Sequence, residues 1–234
     1  MNMWLFETPK NYPDMLKKIA WTMFFIVLIG LFIVAQYDQK FSDFMKSTAF
    51  NLTYEKDGLK LSISYIYIPL LFALLENIFK LHDKISDIFF IRYRFDKFVI
   101  INEYLKSLQM PDKIKKVNKK NRDNIMIEIF YKYAGYASPV IDSHLVYMAL
   151  GNWSWYWIII DTLIVSIVLG GLMLYLEYSH LKLLLILGLL LSLYLISIII
   201  KNIQCKKSAI SEVKAILANT KRKKESARYL NNEL

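Results

Sequence analysis

The sequence predicts an all-α integral membrane bundle of about four transmembrane helices, with a helical cytosolic insertion between the second and third. Three observations predict it. The 234 residues are 56% hydrophobic with a mean hydropathy of +0.31, high for a soluble domain of this length. Charged residues still make up 21%, so apolar and charged residues are segregated along the chain. Four stretches of about bilayer length carry little or no charge, and Lys and Arg crowd between and after them. The layout divides as residues 1–81 (N-terminal segment and two spans), 82–151 (basic cytosolic region), 152–200 (a transmembrane hairpin) and 201–234 (a basic tail).

The first span is Ile19–Gln36, free of charge. It matches the roughly 20 residues that cross a ~30 Å hydrocarbon core. Its apolar run exceeds the ~7–15 residues of a signal peptide, so an uncleaved signal-anchor is expected. The second span, Leu61–Leu81, is less pure and holds Pro69, Glu76 and Lys80. The third, about Tyr156–Leu176, holds Asp161, and the fourth runs over about Leu183–Ile200. Backbone polar groups in lipid must be satisfied within the segment, so each run should be a helix. Spans three and four are joined by Glu177–Lys182 and should form an antiparallel hairpin.

Lys and Arg set the orientation. The loop Tyr37–Lys60 has four Lys against four acids, the segment His82–Gly151 has twelve basic residues against eight acids, and the tail Lys201–Leu234 has nine against three. With four spans, both strongly basic segments share one side. The expectation is a multi-pass protein of the cell inner (plasma) membrane with both termini cytoplasmic. Trp153, Trp155, Tyr156 and Trp157 fit an aromatic belt at the mouth of span three.

Within the insertion, Lys84–Leu108 reads as an amphipathic helix continuing span two. Pro111 follows its end, a second helix is expected over about Asn124–Tyr133, and a third over about Val140–Leu150 after Gly135, Ser138 and Pro139. The tail, with Lys221–Lys224, reads as a charged, disordered terminus.

Ionisable groups within a span default to a functional hypothesis. Glu76 and Asp161 fall at similar depth near the cytoplasmic ends of spans two and three. Repeated by oligomerisation, they would ring a cation path. A snorkelling pair with Lys80 is the bland account of Glu76. Thr162 and Ser166, with Gly170, form a stripe that either packs the hairpin or lines a narrow polar path. The candidate signal-binding residues are basic: Arg92 and Arg94 around Tyr93, and Lys113, Lys115, Lys116, Lys119, Lys120 and Arg122 of the run KIKKVNKKNR. Arg recognises phosphate or carboxylate with two donors. The bland readings are an i,i+4 pair of Arg92 with Asp96 and a positive patch on anionic lipid headgroups.

Cys205 is the single cysteine, and His82, His144 and His180 are scattered. There is no Gly-rich phosphate loop, HExxH, GxSxG or CxxC. No catalytic residue, metal or cofactor is therefore expected, and the chain does not read as an enzyme.

The four spans, the KIKKVNKKNR run and the segment HDKISDIFFIRYRFD at His82–Asp96 together resemble small membrane effectors of bacterial antiviral defence systems, the Hailong type most nearly. The resemblance is one of layout over the whole chain and assigns no residue a role. It implies a homo-oligomeric channel held shut by short nucleic acid made by a partner nucleotidyltransferase. The expected function is a membrane effector that forms or gates an ion-conducting pore, with lipids, a partner sensor and a nucleotide, oligonucleotide or protein signal as partners. The other reading is a non-conducting membrane partner, such as an immunity or scaffold subunit.

Overall fold

A computed structural model describes residues 7–47, 53–56, 59–62, 64–135, 140–175 and 180–234. The fold is almost wholly helical. One short antiparallel hairpin, β1 (Thr53–Lys56) with β2 (Leu59–Ser62), pairs Thr53 with Ser62 and Tyr54 with Leu61. The chain divides into two compact units, each built from separated segments.

The first unit comprises Leu16–Leu81 and Trp155–Ile198. Its helices are α1 (Tyr12–Tyr37, entering from the other unit), α2 (Gln39–Ser47), α3 (Ser64–Phe79), most of α9 (Ser143–Tyr175) and α10 (His180–Ile199). In α1, Ile19, Met23, Val27 and Leu31 recur every fourth residue and are buried, whereas Trp21, Phe25 and Ile29 recur at the same spacing and are exposed. A helix apolar on both faces belongs in a large core or a membrane. Among the described residues three helices, Tyr12–Phe32, Ser143–Gly171 and Leu184–Leu217, are long and apolar enough to cross a membrane.

The remaining apolar helix, α3, is shorter than the sequence suggests. Leu61 and Ser62 pair in β2, so the helix starts at Ser64, and it stops at Phe79 because Lys80 adopts a left-handed φ of 48°. Its 16 residues span about 24 Å at 1.5 Å per residue. Pro69 sits within it. Proline inside a helix removes one backbone donor, a loss that membrane helices tolerate.

The second unit comprises Phe6–Met15, His82–Ser154 and Ile199–Leu234. The expected continuous helix over Lys84–Leu108 is broken: α4 (Leu81–Ile88) ends at a left-handed Phe90 with φ 53°, and α5 (Ile91–Phe95) and α6 (Asn102–Ser107) flank a π-helix at Asp96–Ile101. Neither Lys80 nor Phe90 is a residue type that signals a left-handed turn, so sequence pattern alone runs through both. A 3-10 turn (Pro111–Lys116) leads to α7 (Lys119–Ile125), whose start is fixed by a reciprocal cap between Asn118 and Asn121. A π-helix at Met126–Tyr131 and α8 (Lys132–Ala134) complete the second helical stretch, which begins earlier than expected. The third expected helix is the first part of α9 and not a separate element. Ser138 and Pro139 lie outside the described residues, as do residues 176–179 of the expected hairpin turn.

The tail is ordered as helix, contrary to expectation. A π-helix at Ile200–Cys205 follows α10, then α11 (Lys206–Leu217) and α12 (Thr220–Glu233). Ala209, Val213, Ile216 and Leu217 of α11 bury against a core that includes Ile101, Tyr104, Leu105, Ile125 and Ile129. The Tyr104 hydroxyl donates to the Ile129 carbonyl at 2.9 Å, within the second π-helix. A π turn shifts the helical hydrogen-bond register, and a buried carbonyl needs a donor.

Candidate functional site

Glu76 on α3 and Asp161 on α9 come together inside the first unit. They are 1% and 3% exposed. Their carboxyl groups interact electrostatically and lie within loose hydrogen-bonding reach. Neither oxygen of Asp161 makes a well-aligned hydrogen bond among the described residues. A buried carboxylate without a donor is costly. It is stabilised by a bound proton or a bound cation, and the Glu76 carboxyl beside it makes that demand sharper.

The two hydroxyls one turn apart along α9 behave differently. Thr162 donates to the Ile158 carbonyl at 2.7 Å and lies 3.6 Å from the Met23 sulfur of α1; Ser166 donates to the Thr162 carbonyl at 2.8 Å. Both are satisfied on their own helix. Gly170 explains the small-residue stripe: a Cβ there would meet Ile186 Cγ2 of α10 at 3.2 Å. The stripe packs the α9/α10 pair closely.

The basic candidates fall in the second unit and divide into engaged and exposed groups. Arg92 donates to the Tyr131 hydroxyl at 3.0 Å, with its guanidinium 5.9 Å from that ring's centre. Asp96 pairs instead with Arg122, Nε to Oδ2 at 3.2 Å, and Arg122 also bonds Asp123. The expected Arg92–Asp96 pair gives way because each residue finds a partner on the α7 stretch. Lys113 donates to Asn231 of α12 at 2.8 Å. Lys115, Lys116, Lys119 and Lys120 are exposed around the start of α7, and Arg94 is exposed on α5.

Sequence reasoning missed two features of this unit. One is the part played by the tail: Glu225 of α12 bonds both Lys132 and the Tyr133 hydroxyl. The apolar spacing of α11 was the available signal. The other is a junction at which the Tyr12 hydroxyl donates to Asp83 at 2.6 Å and sits 3.2 Å from Nε2 of the buried His82. Among the described residues no cluster of three or more His, Cys, Asp or Glu is placed to hold a metal ion.

No curated protein and no solved structure matches this chain. A family model does match it, over residues 11–227, which takes in both units and the buried acid pair. By that match the chain belongs to the YmfE protein family.

Proposed function

We propose that this protein crosses a membrane four times and forms or gates an ion-conducting path on which Asp161 and Glu76 are the ion- or proton-handling groups. The observation that carries the reading is Asp161, with both oxygens buried and no aligned donor among the described residues. Such a group within a spanning helix is a functional site by default.

Three crossings come from helices of sufficient length. The fourth, α3, draws support from the second unit. Tyr12, at the start of α1, is hydrogen-bonded to Asp83 near the start of α4. If α1 crosses once, the chain must cross back before residue 83, and α3 is the apolar helix available. Exposed apolar residues run along α10, among them Leu185, Leu187 and Leu191. In water such a face would be a liability; against lipid or a second copy it is ordinary, which favours a bilayer setting and leaves a face open to the proposed oligomer. The second unit carries 22 Lys and Arg against 13 Asp and Glu. It is the side that faces the cytoplasm by the positive-inside rule, and its exposed Lys115, Lys116, Lys119 and Lys120 would receive a nucleotide, oligonucleotide or protein signal. A role in bacterial antiviral defence rests on the resemblance in layout, and family membership adds nothing to it.

The second reading, a non-conducting membrane partner, is favoured by one observation: Thr162 and Ser166 turn their hydroxyls onto their own helix and offer no polar lining. Induced expression with a membrane-potential dye separates the two. Conduction through the acid pair predicts depolarisation that Asp161→Asn strongly reduces at unchanged protein level. Depolarisation that persists in both Asp161→Asn and Glu76→Gln would remove the acid pair from the path. No depolarisation under any condition would favour the partner reading.

A further inference from the structure

We propose that the corner formed by Ile88, Phe89 and Phe90, together with Phe98, docks the second unit onto an anionic phospholipid surface. The proposal rests on the membrane reading and is independent of conduction. Ile88 and Phe89 are 68% and 64% exposed, and Phe90 and Phe98 are also exposed, although this unit has a well-formed core. Consecutive exposed large apolar residues on a soluble face mark an interaction site.

The corner is built by the backbone. The Phe89 amide still bonds the Ile85 carbonyl at 3.0 Å, the Phe90 amide turns to the Asp87 carbonyl at 3.3 Å, and the next helix restarts with the Arg94 amide on the Phe90 carbonyl. A bulky aromatic at φ 53° is an uncommon conformation. Strain of this kind concentrates where a segment is held for a purpose. Here it interrupts the helix so that three apolar side chains in a row face outward.

Charge selects the occupant. From Asp87 to Ile101 the charged residues reaching the surface are Arg92, Arg94 and Lys97 against one exposed acid, Asp87, while Asp96 is buried against Arg122, so the corner keeps a net positive charge. Arg94 lies within electrostatic range of Lys201, the second residue after the apolar helix α10. The corner is also tethered at its other side: α4 begins two residues after α3 ends, and its eight residues cover about 12 Å. An anionic bilayer surface therefore lies within reach of an apolar, cationic corner. Aromatic and aliphatic side chains would enter the boundary between headgroups and acyl chains, with the cations at the phosphates.

The test uses the full chain with Cys205→Ala, reconstituted in vesicles with about 30% phosphatidylglycerol, an anionic composition of the kind that attracts basic segments. An environment-sensitive fluorophore is placed at Phe89→Cys or, in a second variant, Ile88→Cys, with Lys115→Cys as the control. Both test positions are exposed, so folding should not depend on them. The expected result is at least about twofold stronger quenching by shallow spin-labelled lipid at 88 and 89 than at 115, weakened by Arg94→Glu and in purely zwitterionic vesicles. Full access to aqueous iodide at 88 and 89 would overturn the proposal. So would shielding from iodide without lipid quenching, because that result marks contact with protein.

Discussion

Asp96 shows how a single residue ties the second unit to pH. Burial pushes its carboxyl up to about 6, partly opposed by Arg122 and Arg92 and reinforced by Asp123. In the unfolded chain it returns to the ordinary value near 3.8. Between about pH 4 and 6 the folded state therefore holds more protons than the unfolded state, and stability falls as pH rises through that window. The contribution is on the order of 3 kcal/mol at most, at about 1.4 kcal/mol per pKa unit. Asp96→Asn should flatten the profile: compared by thermal unfolding at pH 4.5 and 7, wild type loses stability relative to the variant at the higher pH. Identical slopes would contradict the assignment. The residue also shows what sequence spacing leaves out. Arg92 and Asp96 are four apart and suited to pair, but Tyr131, 39 residues away, takes the Arg, and Arg122 takes the Asp. A local pair is legible only when no tertiary partner competes.

At the scale of elements, α12 is the instructive case. Its start is capped by the Asn219 side chain, which accepts from the Lys221 amide at 3.0 Å and the Arg222 amide at 3.2 Å. It buries little beyond Ser226 and Leu230, and polar contacts hold Glu225 to α8 and Asn231 to Lys113 of the 3-10 turn. Asn219→Ala should cost about 1 kcal/mol and raise amide exchange across 220–233, leaving α11 protected. Unchanged exchange there would mean the cap does not hold the helix. This explains the misreading of the tail. The apolar period of α11 was visible in the sequence, but the contacts holding α12 are polar and long-range, and a charged run by itself suggests solvation. The three π-helical turns carry no local signal either. By contrast α1, α9 and α10 were legible because lipid-length apolar runs leave few alternatives. The acid pair was legible as two isolated charges in such runs, though not its degree of burial.

For the whole molecule, the organising fact is segregation. Nearly all the net charge of +10 sits in the second unit, and nearly all the long apolar helices sit in the first. The sequence showed this division, but not that the N-terminal segment, the middle region and the tail form one unit, because that assembly depends on contacts such as Tyr12 with Asp83 and Asn152 with Ser208. With α3 crossing as proposed, residues 7–15, the insertion and the tail would share one side of the membrane. The most direct measurement is labelling of intact cells with a membrane-impermeant maleimide, using Ser47→Cys, Lys115→Cys and Lys223→Cys in the Cys205→Ala chain. The account predicts that 47 labels from outside and that 115 and 223 label only after permeabilisation. Labelling of all three positions from outside would mean that α3 does not cross.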